Sequence, residues 1–475
     1  MKNIATTLLV FLILTTSILS KDVYAKNIYG LHLTQTEDIK IVSPIINSSQ
    51  GDWGWVTITI RLDQLNHNQW QDFFNHCRRL HLIPLIRLAT KLEEGSWLKP
   101  TEQNIKDFSQ FLNSLNWPTT DKHIILFNEV NRGDEWGKDP NSQEYANISI
   151  FASQRFKKLD PNFIILTAGL DLAAPHTPPN YFGADLYYQE IIKNKPDFFN
   201  HIDGLSSHSY PNHGFIGKPS DTGRHSIIGY QWELEYLKNL GVSQKLPVYI
   251  TETGWPHREG IILDDQFYTT NTTADFLIKA YNIWQKDEQI IAVTPFIFNY
   301  PQEPFDHFSW LDKNNNLYPA YNQFINYPKQ QNTPSQFNTF QVTKINLPPI
   351  IFPNHQYQAK IVLKNTGQTI WSTKDTSFCL LPQSTQNVIL SQICSNPQVY
   401  TEPGQNQTIE FTLTITTEPK LPKTLIGWQK IEQYFEIKPI IQSIPVYYPK
   451  STFLQNFFKY LIKKFSTLAL FYKTS

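Results

Sequence analysis

From Ile28 to Asn299 the chain alternates short apolar, β-branched runs with longer stretches of helical period. The strand-like runs are Ile28–Leu33, Trp55–Leu62, Leu82–Ala89, His123–Glu129, Phe163–Ala168, Ile202–His208, Val248–Glu252 and Ile290–Asn299. Near-continuous apolar runs of this length predict strands buried on both faces, as in parallel sheets. Between them, Asn68–Leu80, Thr101–Leu115, Gln143–Lys158, Tyr230–Leu240 and Thr272–Gln285 predict helices. Eight strands alternating with helices over about 300 residues predict an α/β fold, a (β/α)₈ TIM barrel occupying residues 26–328. The rival is a doubly wound open sheet, which would carry a glycine-rich loop after its first strand. Leu31–Thr36 contains no glycine.

The barrel reading gives the polar residues at strand ends a common location, the C-terminal mouth. The fourth run ends in Asn128-Glu129 and the seventh in Glu252, within LPVYITETGWP. Side chains alternate along a strand, so Glu252 is expected on the face of Val248 and Ile250. Arg61 follows the second run, Arg87 the third, and His208 and Tyr210 the sixth; Phe298 closes the eighth.

Beyond the barrel the pattern changes. Residues 329–340 lie in a Pro/Gln/Asn-rich stretch without periodicity and read as a linker. From 341 to 448 short alternating strands predict a β-sandwich: Tyr357–Lys364, Thr376–Leu381, Thr408–Thr416 and Thr424–Gln429. In the tail, 449–475, apolar residues at helical spacing between Phe453 and Tyr472 stand apart from Lys459, Lys463 and Lys464. A basic amphipathic helix of that kind suits peripheral membrane contact through 453–472, or packing and dimerisation. At the other end, Lys2, the apolar Leu8–Leu14 and Val23-Tyr24-Ala25 predict a signal peptide over residues 1–25, hence a secreted or cell-surface protein.

Lys plus Arg and Asp plus Glu each total 41, and a net charge of zero argues against nucleic acid as a partner. With 12 Trp and 23 Tyr, rings are available for stacking on sugars as well as for cores; Trp255 and Trp310 fit either use. Of three cysteines, Cys379 and Cys394 share one β-rich segment and can pair in an oxidising compartment, whereas Cys77 sits in a helical pattern as a buried thiol. His176, His213, His225 and His257 lack tight ligand spacing, so no metal and no cofactor is expected.

Two carboxylates facing each other across a mouth suit glycoside hydrolysis, one as acid and the other as nucleophile. Asn128-Glu129, His208-Ser209-Tyr210 and Thr251-Glu252-Thr253-Gly254-Trp255 resemble, in order and spacing, the motifs of clan A glycoside hydrolases. The pentad ETGWP resembles family 17, and the remainder families 39 and 5. That resemblance implies Glu129 as acid/base and Glu252 as nucleophile of a retaining β-glycosidase acting on an oligo- or polysaccharide. The candidate substrate contacts at the mouth are Asn128, Arg61, Arg87, His208, Tyr210, Trp255, Phe298 and Trp310, with Arg87 also readable as a counter-ion of the mouth. The chain departs from the clan in having Val130 after Asn-Glu and Phe298 where a tryptophan usually stands. Asn365-Thr366-Gly367, Trp371, Pro403-Gly404 and Gly427-Trp428 resemble the Ig-like domain named for four tryptophans, a partner-binding module. The competing expectation is a catalytically inactive glycan-binding protein on the same scaffold.

Overall fold

The computed structural model describes residues 26–348, 355–372 and 399–415, and the backbone of five further strands between 379 and 445. The expected leader at 1–25 and the basic helix at 453–472 lie outside the described residues.

Eight parallel strands form the core: β1 Gly30–Leu33, β2 Gly54–Arg61, β3 Leu82–Ala89, β4 Lys122–Ile125, β5 Phe163–Leu166, β6 Leu205–His208, β7 Val248–Glu252 and β8 Ile290–Val293. They pair in chain order, β1 through β5 in one ladder and β6 through β8 in another. Parallel bridges from Leu166 to Gly204 and from Tyr29 to Val293 join the two ladders into a closed barrel. Helices α1 Ile39–Ile46, α2 His67–Arg79, α3 Glu102–Ser114, α4 Ser142–Leu159, α5 Ala184–Asn194, α6 Gly229–Asn239 and α7 Thr270–Trp284 follow the first seven strands, and the short α8 Asn322–Asn326 follows β8. Helices α1 and α5 were not among those named from the periodicity. Pro44 lies inside α1.

The period-2 alternation of the strands sorts the lumen into layers. At the floor, Trp55, Ile83, Leu85, Ile125, Leu166, Tyr249 and Ala292 pack as a plug, while Val56, Ile58, Ile86, Val248 and Ile250 face the helices. Above the plug lies a belt of hydroxyls: Thr57 Oγ1 meets Thr294 Oγ1 at 2.8 Å, and Ser206 Oγ meets Thr251 Oγ1 at 2.6 Å. Charged residues come next, at the mouth.

The segment expected as a linker lies on the barrel floor. Lys329 is buried, its ammonium donating to Phe324 O at 2.6 Å and Ser48 Oγ at 2.7 Å. Asn332 Nδ2 donates to Asn27 O and Trp53 O. After it, β9 Phe340–Asn346, β10 Gln356–Asn365, β11 Cys379–Gln383, β12 Val388–Leu390, β13 Ile393–Cys394, β14 Asn406–Ile415, β15 Lys423–Lys430 and β16 Ile440–Pro445 form two antiparallel sheets, ordered β9-β10-β14-β12 and β13-β11-β15-β16. Cys379 stands opposite Cys394 in the backbone register. This region meets the barrel at its floor: Arg79 forks onto Glu402 at 2.6 and 2.7 Å, and Gln368 Nε2 donates to Thr119 O at 2.7 Å. Among the described residues, none of this region lines the mouth at the opposite end.

Candidate active site

The mouth encloses a cavity of about 1050 Å³ lined by Glu129, Glu252, Arg87, Asn128, His208 and Tyr210, with His32, Arg132, Glu135 and Asp171 beside them. Strand ladders deliver some of these and broken backbone delivers the rest. β4 ends at Ile125, four residues short of the glutamate. Phe127 and Glu129 then adopt positive φ of 74° and 26°, a conformation costly for residues with a Cβ and found where a site over-determines it. The expected strand His123–Glu129 is shortened for that reason.

Glu252 reaches the mouth by a different route. Alternation alone would leave it facing outward with Val248 and Ile250. The ladder with β6 slips by one residue, pairing Ser207 with Ile250 but His208 with Glu252. Such an extra residue re-aims the chain locally, and the Glu252 carboxylate turns in to face the lumen.

There the carboxylate is heavily neutralised. Arg87 Nη1 donates to Oε1, Tyr210 OH donates to Oε2 at 3.1 Å, and His208 Nδ1 and His32 Nδ1 each lie 3.7 Å away. Burial by itself would raise this acid. The charges of His208 and Arg87 outweigh it and hold Glu252 at about 2, so it is ionised at neutral pH. Arg87 is fixed in turn by Thr59 Oγ1 at 3.0 Å and Asn128 Oδ1 at 2.7 Å. The Tyr210 phenol is pushed up by burial and by the two carboxylates, and stays a proton donor.

Glu129 has other partners. Its Oε1 accepts from His208 Nδ1 at 3.0 Å and its Oε2 from Arg132 Nη1 at 3.3 Å. Arg132 is aimed by Asp134, which takes its Nε and Nη2 at 3.0 and 2.7 Å. Asp171, 3.8 Å from Arg132, is pushed up to about 6 by burial and the Glu129 charge. Glu135, hydrogen-bonded to Asn128, is pushed up to about 7 for the same two reasons. The His208 imidazole is buried and its pKa is raised: burial lowers it, but both glutamates more than offset that. His32 is held neutral, near 3, by burial and by Arg87.

Single side-chain atoms of Glu129, His208 and Glu252 lie within 4.8 Å of one another. Guanidinium groups already sit on both carboxylates, so the positive charge that a cation would supply there comes from Arg87 and Arg132.

The remaining sequence-derived residues divide. Arg61 lies at the rim, forked by Asp63 at 3.0 and 2.6 Å and placed over the Trp97 ring. Trp255, Phe298 and Trp310 do not line the cavity and are corrected to core. Trp255 is buried against Phe276 with its Nε1 on Gly217 O, Phe298 is fully buried, and Trp310 stacks on Tyr321 at 4.3 Å. The aromatic wall is made instead by Trp97, Phe296, Tyr300, Phe305 and Phe308. Trp97 comes from a two-stranded turn, Leu92–Glu93 with Ser96–Trp97, after β3. Arg132 and Asp171 also come from loops; the signal available for them was their place a few residues beyond β4 and β5.

No family model matches the chain, and no curated protein matches it. Among solved structures it is similar to a glucosidase from Croceicoccus marinus, at 7% identity over 83% of this chain and 97% of that one, TM-score 0.47. It is similar to a family 51 α-L-arabinofuranosidase from Bifidobacterium longum, at 9% identity over 82% and 96%, TM-score 0.40. An endo-β-1,4-mannanase from Cellulomonas fimi aligns at 9% identity over 89% and 94%, TM-score 0.36. The chemistry of this chain rests on its own residues.

Proposed function

We propose that the protein is a secreted retaining β-glycosidase that hydrolyses a β-linked oligo- or polysaccharide by double displacement. The observation that carries this is the unequal pair: Glu129 and Glu252 share one imidazole, yet Glu252 alone is bound by Arg87 and Tyr210 and held at about 2. A nucleophile must be ionised, and a retaining pair stands roughly 5–5.5 Å apart. One oxygen of each carboxylate lies within 4.8 Å of one of the other's, which fits that separation.

In the first step a Glu252 oxygen bonds to the anomeric carbon as the bond to the leaving oxygen breaks. The Glu129 proton passes to that oxygen. In the second step Glu129, now a carboxylate, takes a proton from water as the water oxygen displaces Glu252. His208 touches both carboxylates and is placed to follow the charge as it moves from one to the other. Three phenylalanines and Trp97 supply apolar faces for sugar C–H surfaces.

The test is a pair of variants on aryl β-glycosides. Glu252→Gln should abolish turnover with every leaving group, since an amide cannot form the ester. Glu129→Gln should slow poor leaving groups by roughly 10²–10⁴-fold and spare the first step with very good ones. Product NMR should show the anomeric configuration retained; an inverted product would refute double displacement.

A further inference from the structure

The exposed large apolar side chains of the barrel are not spread evenly. Of eight, only Ile41 lies on one of the barrel's α-helices; the other seven are in the connections that follow strands, around the mouth. Leu92 and Leu98 lie on the loop after β3, Ile216 after β6, and Phe305 after β8. The loop after β7 carries three in succession, Ile261, Ile262 and Leu263, exposed by 54, 64 and 69%.

That loop is built to hold them in water. Glu259 and Leu263 form an antiparallel bridge, Ile261 N donates to Asp306 Oδ2 at 2.5 Å, and Arg258 N donates to Tyr268 O at 2.7 Å. Tyr268 OH donates to Ile216 O at 2.8 Å, tying the neighbouring loop to it. A Cβ on Gly260 would come within 2.6 Å of Asp306 Oδ2 and His307 Cε1, so the turn packs too closely to be re-routed. Phe305 belongs to both surfaces, since it also lines the cavity. The apolar rim is therefore continuous with the candidate site.

We propose that the mouth face seats on a neutral, zwitterionic bilayer, and that the substrate is a glycan carried on lipid. Apolar residues projecting from four separate loops around a concave mouth, three of them at the tip of one loop, match a deformable, planar apolar layer that can take them all at once. Rim charges are largely paired among themselves: Lys91 with Glu93, Lys138 with Glu94, Arg258 with Glu259 and Asp265. A rim so neutralised suits lipid without net charge. The described residues of the C-terminal β region meet the barrel at the floor, and none of them lines this mouth. The choice of substrate rests on the glycosidase reading; the seating does not.

The experiment compares the full chain with Ile261→Ser/Ile262→Ser/Leu263→Ser, whose altered side chains are exposed and outside the cavity. Phosphatidylcholine vesicles should retain the wild type equally at low and high salt, and the triple variant about thirtyfold less or weaker still. Both proteins should cleave a soluble aryl glycoside at the same rate. A long-chain alkyl glycoside of the same sugar, embedded in the vesicles, should be cleaved faster than the soluble one by the wild type only. Wild type left in the supernatant, or equal retention of the variant, overturns the seating. Retention lost at high salt assigns binding to the basic 453–472 segment and overturns it too. Dissociation of a wild-type dimer in the variant, without vesicles, makes the occupant a second copy and overturns it. Equal rates on soluble and embedded glycoside overturn the substrate class. No cleavage of either glycoside, with vesicle retention intact, counts against the glycosidase reading alone.

Discussion

A methyl group on Gly169 would lie 2.1 Å from Cδ2 of His208, so the imidazole occupies the space that any larger residue at 169 would fill. His208 can bridge Glu129 and Glu252 only because the chain leaving β5 has no side chain at that point. Gly169→Ala must displace the ring, the backbone, or both. The expected outcome is a fall in kcat of about 10²-fold or more, as for small misplacements of reacting groups, with little change in KM and a retained far-UV dichroism spectrum. Wild-type kcat in a folded Gly169→Ala protein would show that His208 does not position the pair.

Arg87→Met removes one of the charges that hold Glu252 near 2. The sign is fixed: with that cation gone, the carboxyl takes up a proton more readily. The acid limb of kcat/KM should move to higher pH, while the basic limb stays in place. A pH profile measured between pH 3 and 9, at roughly half-unit steps, reads this directly. Loss of activity without any displacement of the acid limb would mean that Arg87 contacts only the sugar.

Beneath the site, the fully buried Glu233 accepts from Tyr188 OH at 2.6 Å and from Ser207 Oγ, and burial pushes its pKa up to about 7. An unfolded glutamate titrates near 4.3, so between those values the folded protein binds more protons than the unfolded. Stability from this group is then greatest below about pH 4 and falls as pH rises toward 7. Glu233→Gln keeps an acceptor and a donor in place and removes the titration. Urea denaturation should show the variant more stable than wild type at pH 8, by an amount on the order of 3 kcal/mol, with the gap closing near pH 4. A gap independent of pH would assign the effect to packing.

Trp97 and Trp310 offer a contrast between wall and core. Trp97→Ala should raise KM for oligosaccharides by about tenfold to a hundredfold, at roughly 1–3 kcal/mol for a lost stacking face, and leave stability almost unchanged. Trp310→Ala should instead cost about 3–5 kcal/mol of stability, because it empties a packed site against Tyr321 and Phe324. Thermal denaturation together with steady-state kinetics on the two variants separates them; a KM effect at Trp310 with unaltered stability would reverse the assignment.

What could be read in the sequence was what depends on local pattern. Apolar runs such as Leu82–Ala89 and Val248–Glu252 are strands because nothing in them breaks the ladder. Glu129 and Glu252 stood out because a carboxylate cannot end an apolar run without a use or a partner. Direction was harder to read. Trp255 lies three residues beyond Glu252 and Phe298 five residues beyond Val293, yet both turn into the packing between barrel and helices, since sequence distance carries no information on where an aperiodic segment points. The same loss of periodicity hid Arg132, Asp171 and Trp97, which enter the cavity from loops. The 329–340 segment showed no apolar rhythm because it is held by polar contacts, those of Lys329 and Asn332, which leave none.

The slip between β6 and β7 makes the aim of Glu252 a matter of counting. One extra residue, on the β7 side of the ladder, decides whether the carboxylate looks into the lumen or toward the helices. Inserting one residue between Ser207 and His208 would restore regular pairing with β7, keep every charged residue of the mouth in the sequence and still turn the nucleophile away. In this barrel, then, a frame of a single residue can part a hydrolase from a silent scaffold with an unchanged inventory of side chains at its mouth, so a relative could lose the reaction by indel alone and show both glutamates intact.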